Sequence, residues 1–134
     1  MCVLEDDYLE NFCKQVLNED YFIRSAEITD HVGHIIAIAH RQGSVPLMTP
    51  EETSRAAIQA AIRAATRDKF RPKIGELQFS ISRYVRLIQA TIPIKYDSKN
   101  KFLLLLTFDI DAEADSIILK KILPYIEKNR DYFL

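Results

Sequence analysis

The stretch Thr49–Arg67, TPEETSRAAIQAAIRAATR, is predicted to form one long helix around which the rest of the chain is arranged. Thr49 is a residue type that favours the N-cap position, and Pro50 fits the first helical turn. Glu52 lies three residues after the cap and completes a capping box. No helix breaker follows until well past Arg67. The pattern therefore predicts a single uninterrupted helix.

This helix has one face of small side chains and one of polar side chains, because successive residues are about 100° apart around the axis. Small side chains let a helix backbone lie close to a sheet, so we expect the small face to be the packed one. The small face comprises Thr53, Ser54, Ala57, Ala61, Ala64 and Ala65, and the polar face comprises Glu52, Arg55, Gln59, Arg63 and Thr66.

The polar face of this helix has two interpretations. Glu51 and Arg55 are spaced as a favourable pair on a solvated helix, whereas the arginines could instead recognise an acidic partner, such as a second copy of the chain. Two isoleucines flank the alanine face and could belong either to the core or to a dimer contact. The residues assigned to a candidate partner surface are Arg55, Ile58, Gln59, Ile62, Arg63 and Arg67.

The composition is that of an ordinary soluble protein. The chain has 134 residues, a formal net charge of −1, 48% hydrophobic residues and 28% charged residues. These values predict a single globular domain over residues 1–134. The acidic start MCVLEDDY does not resemble a signal peptide, and the longest apolar runs are too short to span a bilayer. We expect no membrane association and a cytoplasmic location. Cys2 and Cys13 fit no metal or redox spacing, and Cys13 is expected to be buried.

Charge is segregated along the chain, with an acidic N-terminal segment, a basic middle and a second acidic group after it. Helix ends favour such charges through their dipoles, which is the simplest interpretation. The alternative is that the basic segment 55–73 contacts nucleic acid, with Tyr84 and Tyr96 as stacking residues. The negative net charge argues against it. The basic residues are Arg55, Arg63, Arg67, Lys69, Arg71 and Lys73.

A helix and a β-hairpin are predicted before the long helix. The helix should cover Leu4–Leu17, where apolar residues recur at helical spacing. Phe22–Ile28 is predicted to be a strand, Thr29–Gly33 a turn, and His34–His40 a returning strand. The returning strand is apolar on both faces, so we expect it in the interior of a covered sheet.

Further strands are predicted after a basic connection, Asp68–Gly75. Leu77–Ser82 and Val85–Lys95 alternate as strands, and whether they are one bent strand or two is left open because no turn residue separates them. Pro93 suggests that one side of the second strand lacks a pairing partner at its end.

The C-terminal part is predicted to be a strand and a helix. Asp97–Asn100 is predicted to be a turn, and Phe102–Phe108 is the best candidate for a central strand because it is apolar on both faces. A last helix should begin near Asp111–Asp115 and be kinked or divided at Pro124. Asp131–Leu134 would be a tail with apolar residues able to dock. The buried side of the helix is expected to comprise Ile118, Leu119, Ile122, Leu123, Tyr125 and Ile126.

The predicted order is α-β-β-α-β-(β)-β-α, an α+β fold with an antiparallel sheet of four or five strands covered by helices. This order, the D-x-x-G turn at Asp30–Gly33 and the apolar return strand resemble the roadblock/dynein-light-chain-7 group, which has a profilin-like fold. The chain also resembles small archaeal proteins with no known activity, which share a G-x-I-I-A strand and a P-L-x-T-x-E-E helix start. Here these are Gly33–Ala37 and Pro46–Glu52.

The roadblock resemblance implies a homodimer and a protein partner. Such domains typically dimerise through the central helix and an adjacent edge strand, and serve as platforms for small GTPases or larger assemblies. On this chain the contact elements would be the Thr49–Arg67 helix and the Leu77–Ser82 strand.

No motif for catalysis or cofactor binding is present. The phosphate-binding, dinucleotide-binding, nucleophile-elbow and zinc-protease patterns do not occur, which predicts that the protein is not an enzyme and has no cofactor. His34 and His40 are about 20 Å apart on one strand and too distant to share a metal. Asp30, His31 and His34 could approach one another, but we interpret them as polar turn residues rather than a metal site.

These observations lead to one preferred function and two alternatives. The preferred function is a non-enzymatic interaction or regulatory module that acts as a homodimeric scaffold. The first alternative is a sensor domain that holds a small ligand between the sheet and a helix. The second is a nucleic-acid-associated protein that uses residues 55–73.

Overall fold

The computed structural model describes residues 2–95 and 101–133. The turn predicted at residues 97–100 lies outside them. The described residues form five strands and five α-helices, with a π-helical turn at Ile118–Ile122 and a 3-10 turn at Arg130–Phe133. The elements are α1 Cys2–Leu17, β1 Ile23–Asp30, β2 Ile35–His40, α2 Pro50–Asp68, α3 Arg71–Ile74, β3 Ser80–Arg83, β4 Leu87–Lys95, β5 Lys101–Asp109, α4 Ala114–Ile117 and α5 Leu123–Lys128.

The strands form one antiparallel sheet in the order β2-β1-β5-β4-β3. β5 is central, as predicted for Phe102–Phe108, because its leucines are covered by helices on both faces. α1 and the C-terminal helices cover one face, and α2 lies over the other. The α+β class and the order of elements are confirmed.

The main core lies between the sheet and the layer of α1 and the C-terminal helices. Its largest fully buried side chains include Phe12 of α1 and Phe108 of β5. Phe133 docks here with its ring 5.0 Å from that of Phe12 and 5.4 Å from that of Phe102. The predicted docking of the apolar tail is therefore confirmed at Phe133. Cys13 is fully buried, also as predicted, and burial raises the pKa of its thiol to about 12.

The expectation that the His34–His40 strand lies in the interior of the sheet is wrong. Among the strands that the structure describes, β2 pairs only with β1 and forms one edge of the sheet. It is apolar on both faces because α1 packs on one face and the β1–β2 turn meets α2 on the other. Contacts with other elements can therefore give an edge strand the apolar pattern of an interior strand.

The region of the predicted Leu77–Ser82 and Val85–Lys95 strands contains two strands with different bounds. β3 covers Ser80–Arg83, β4 begins at Leu87, and the Tyr84 N–H donates to the Leu87 carbonyl at 2.9 Å to close the hairpin. Ser80 pairs with Thr91. Two residues earlier, β3 would have to pair with Pro93, which has no N–H to donate. The unpaired side predicted for Pro93 is confirmed.

Two further expectations need correction. The basic connection Asp68–Gly75 contains a short helix, α3, with Pro72 in its first turn. Leu119, assigned to the buried side of the last helix, is 51% exposed. The last helix begins at Ala114, within the predicted 111–115 range, and the π-helical turn before Pro124 divides it, as predicted. None of the helices within the described ranges combines the length and apolarity needed to cross a membrane.

Candidate interaction surface

The start of α2 is fixed by the predicted capping box. The Glu52 N–H donates to the Thr49 hydroxyl at 3.2 Å, and the Thr49 N–H donates to the Glu52 carboxylate at 2.9 Å. Two otherwise unpaired N–H groups are thereby satisfied, which orients the helix at its first turn.

The buried face of α2 is rotated from the predicted one. Ala57, Ala60 and Ala61 are buried against the sheet, and Ala60 was not part of the predicted face. Ser54 and Ala65, which belong to the predicted face, are exposed. The sequence misleads here because alanines surround most of the helix, so their positions alone do not define a single packed direction.

All six residues of the predicted partner surface are exposed: Arg55, Ile58, Gln59, Ile62, Arg63 and Arg67. Ile58 and Ile62 keep 40% and 54% of their surface accessible, so they are not core residues in this chain. Arg55 lies 3.9 Å from Glu51 in an exposed ion pair that contributes little to stability.

β3 forms the second edge of the sheet and lies beside the arginine side of α2. One side of β3 pairs with β4, and the other side carries backbone groups with no partner strand among the described residues. Ser82 of β3 and Arg63 of α2 line the same small cavity. The surface of α2 therefore continues onto an open strand edge, which can pair with another chain.

Apolar side chains missed by the sequence analysis extend this surface. Phe70 and Ile74, at the start and end of α3, are 59% and 82% exposed. Val85, at the tip of the β3–β4 hairpin, is 94% exposed. The helical spacing of Phe70 and Ile74 within the basic connection is the signal that could have identified them.

The D-x-x-G turn holds the β1–β2 hairpin against α2. The Asp30 carboxylate accepts hydrogen bonds from the Val32 N–H at 3.0 Å and the His34 N–H at 2.9 Å. Burial alone would raise the pKa of Asp30, but these bonds and the His34 ring outweigh it and hold the pKa below its usual value. Gly33 has a φ of +93°, and a Cβ on it would lie 2.6 Å from the Ile58 Cα. The motif is therefore structural.

The histidines do not form a metal site within the described residues. His34 Nδ1 lies 3.2 Å from the Asp30 carboxylate and remains largely exposed. In the described ranges, no group of three or more His, Cys, Asp and Glu side chains is arranged to hold a metal ion.

A cavity of about 200 Å³ lies between the C-terminal half of α2 and the ends of β4 and β5. Lys95 donates to the Asp68 carboxylate at 3.1 Å on its wall. This hydrogen bond lowers the pKa of Asp68. Lys101 also lies on the wall. The apolar lining comprises Ala61, Ala64, Ala65, Leu77, Pro93, Phe102 and Leu103.

Solved structures share this fold over nearly the whole chain. A Roadblock/LC7 domain from Streptomyces avermitilis superposes with a TM-score of 0.67 at 10% identity, over 92% of this chain and 95% of that one. The gliding protein MglB from Thermus thermophilus gives 0.69 at 19% identity, over 96% and 87%. A structure described as MglB with tetrameric arrangement gives 0.70 at 18%, over 92% and 85%.

These likenesses identify the fold as that of roadblock/LC7 domains, which confirms the resemblance found from the order of elements and the turn motif. At such identities the likeness concerns the fold alone. A scan against protein-family models found no match, and neither did a search of curated protein sequences.

Proposed function

We propose that this protein is a non-enzymatic interaction module that forms a homodimer through the exposed side of α2 and the open edge of β3. The observation that carries the proposal is the combination of exposed isoleucines on α2 with an unpaired strand edge beside it. On an isolated chain, exposed apolar side chains and an unpaired strand edge both promote association, and a second copy would cover both of them.

Exposed apolar side chains on these elements support the proposal. A two-fold dimer uses the same surface on both copies, so this surface must be self-complementary. Apolar side chains meet that requirement because two copies of an uncharged side chain can contact each other without electrostatic repulsion. The large exposed apolar side chains on α2, α3 and the β3–β4 hairpin are Ile58, Ile62, Phe70, Ile74, Ile81, Tyr84 and Val85.

The charges of α2 also suit pairing with a second copy. Glu51 and Glu52 lie in its first turn, while Arg63 and Arg67 lie in its second half. In an antiparallel arrangement the acidic end of each helix would face the basic half of the other. No acidic side chain within the described residues forms an ion pair with either arginine, which leaves both available for such contacts.

The dimer would act as a platform for a protein partner, such as a small GTPase. This part of the proposal rests on the roadblock resemblance. Titration of the protein with a purified small GTPase from the same genome, followed by calorimetry, tests it. Heat released at a defined ratio of GTPase to dimer supports the platform, and no heat at any ratio removes it.

Paired substitutions test the dimer. We expect the double variant Ile58→Lys, Ile62→Lys to sediment as a monomer at concentrations where the unchanged protein is a dimer. Lysines at both positions would place like charges close together across the two-fold axis. Both side chains are exposed in the single chain, so the fold should persist, which circular dichroism checks.

Leu119→Lys is the matched control, because Leu119 is equally exposed but lies among the C-terminal helices on the opposite face of the sheet. It should leave the sedimentation coefficient unchanged. If the isoleucine variant remains a dimer, or if the control dissociates as readily, α2 is not the contact element.

A second candidate function, the binding of a small ligand, is favoured by the cavity of about 200 Å³ beneath α2. An apolar cavity of about 150 Å³ suffices for benzene, so this one suits a small aromatic carboxylate with its charge near Lys101. A thermal-shift screen of such acids should raise the melting temperature, and Lys101→Ala should reduce the rise while the exposed control Lys73→Ala does not. A flat response to the whole panel removes this candidate.

A further inference from the structure

A row of polar side chains crosses the face of the sheet that lies under α2. The strand pairing places Ser82 opposite Gln89, Gln89 opposite Thr107, Thr107 opposite Ser25, and Ser25 opposite His40. Neighbouring strands are about 4.8 Å apart, so each side chain can reach the next one. The interior between sheet and helix is therefore lined with hydroxyl and amide groups rather than with apolar groups alone.

A buried carboxylate, Glu27, lies beside this row. It is two residues from Ser25 on β1, so both side chains point to the same face of the sheet. Only 9% of Glu27 is exposed. No described residue donates a hydrogen bond to its carboxylate, and no side-chain oxygen among the described residues is both fully buried and without a partner, so the carboxylate keeps some contact with solvent. Burying an ionised carboxylate without a partner is costly. Burial accordingly raises the pKa of Glu27 to about 7.

Two small cavities meet at this carboxylate. One has a volume of about 50 Å³ and extends toward the 44–48 loop, and the other, of about 30 Å³, lies under α2. Glu27, Gln89, Thr107 and Met48 line both of them. A water molecule needs about 10–15 Å³ of such volume, so each cavity can hold a water-sized ion and at least one water.

Nearby cationic side chains do not neutralise Glu27. Arg24 and His40 line the larger cavity, but the Arg24 Nε donates to the Ser44 hydroxyl at 3.3 Å. Arg63 lines the smaller cavity and is exposed. None of the three contributes to the pKa of Glu27, which is set by burial. The charge of the Glu27 carboxylate is therefore balanced by no described side chain, and a cation that enters from the solvent could balance it.

We propose that Glu27, Gln89 and Thr107 form a site for a monovalent alkali cation, K⁺ or Na⁺, beneath α2. Their carboxylate, amide and hydroxyl oxygens are the donors that hard cations prefer. A single carboxylate balances one positive charge. A divalent ion would leave a buried excess charge, and Ca²⁺ sites commonly use several carboxylates. Ser25 supplies a further hydroxyl from the adjacent position on β1.

Thermal unfolding in different salts tests the site. At pH 8 and constant ionic strength, tetramethylammonium chloride is replaced by KCl or NaCl; the large organic cation cannot enter cavities of this size. We expect the melting temperature to rise by about 3–5 °C between 1 and 300 mM of the preferred ion, because the ligand binds only the folded state. Glu27→Gln should abolish the rise while preserving the shape of the side chain.

A second variant and a direct measurement separate a bound ion from a general salt effect. Thr107→Val should reduce the rise without changing the charge, whereas Thr66→Val, on the exposed side of α2, should leave it unchanged. Anomalous scattering from Rb⁺-soaked crystals should give a peak between Glu27, Gln89 and Thr107. The proposal is overturned if all three salts give equal melting temperatures, if only pH changes them, or if the Rb⁺ peak is absent.

Discussion

At the scale of single residues, Gly33 sets how closely the β1–β2 turn approaches α2. Gly33→Ala should lower the free energy of unfolding by about 3 kcal/mol, because the new methyl group would meet the backbone at Ile58 and the positive φ disfavours any side chain. Gly43→Ala is the control. Gly43 also has a positive φ, +84°, but has open space around it, so the loss should be about 1 kcal/mol. Urea unfolding measures both, and equal losses would refute the close approach.

Glu27 makes a second residue-scale prediction, which concerns pH. Below its ordinary pKa of 4.5 the carboxyl is protonated whether the chain is folded or not, so it has no effect on stability there. Between 4.5 and about 7 the unfolded chain releases the proton while the folded chain keeps it. Without alkali cations, stability should therefore fall by about 3 kcal/mol as the pH rises through this range.

The charged or titratable groups nearest Glu27 are Arg24, His40 and Arg63 on its own side of the sheet and Cys13 on the other. Chemical unfolding of Glu27→Gln across pH 4 to 8 isolates the contribution of Glu27 from theirs. In this variant, most of the fall in the free energy of unfolding with rising pH should be absent. A decline of the same size in the variant would assign it to another group.

Single-residue predictions from sequence succeeded where the interaction is local. The Thr49 capping box and the burial of Cys13 could be inferred because neighbouring residues specify them. The burial of Glu27 could not be inferred from its neighbours in the sequence. Within Ile23–Ile28, a bulge between Ile23 and Ser25 changes the alternation of faces, and α2 arrives from a distant part of the sequence to cover the carboxylate. A polar residue in a strand otherwise indicates a solvent-facing position.

At the scale of elements, Arg41 ties the end of α1 to the first hairpin. Its guanidinium donates to the carbonyls of Ile23 at 2.7 Å, of Asp20 at 2.8 Å and of Leu17 at the end of the helix. Arg41→Ala should lower the free energy of unfolding by about 2 kcal/mol, because these partly buried carbonyls would lose a charged donor. Arg55→Ala, on exposed α2, should change it by less than about 0.5 kcal/mol in thermal unfolding. Comparable losses of unfolding free energy in the two variants would contradict the role of Arg41 in tying α1 to the hairpin.

The type of each long element was predictable, and the edges of the sheet were not. The central position of β5 followed from Phe102–Phe108 being apolar on both faces. The same reasoning failed for β2, since α1 packs on one face of this edge strand and the turn before it lies against α2. The start of β3 was misplaced because Leu77 and Phe79 alternate like strand residues, although Leu77 lines the cavity under α2 and Phe79 packs on the core. Strand ends depend on partners, which the sequence of one strand does not specify.

At the scale of the whole molecule, one surface of the fold combines exposed apolar side chains with the open edge of β3. α1 and the C-terminal helices bury one face of the sheet thoroughly, whereas α2 covers the other with small side chains and keeps two isoleucines exposed. The partner residues proposed from sequence all lie on this exposed side of α2. Phe70 and Ile74 were missed, because only the folded chain brings α2 and α3 to one side. The edge strand was expected from the roadblock resemblance, although its bounds, Ser80–Arg83, differ from the predicted Leu77–Ser82.

The central claim, that two copies assemble through this surface, is tested most directly by the mass of the protein in solution. Light scattering during size-exclusion chromatography at micromolar concentration should give about 31 kDa, twice the chain mass of 15.5 kDa. A mass of 15.5 kDa throughout the accessible concentration range would contradict the claim.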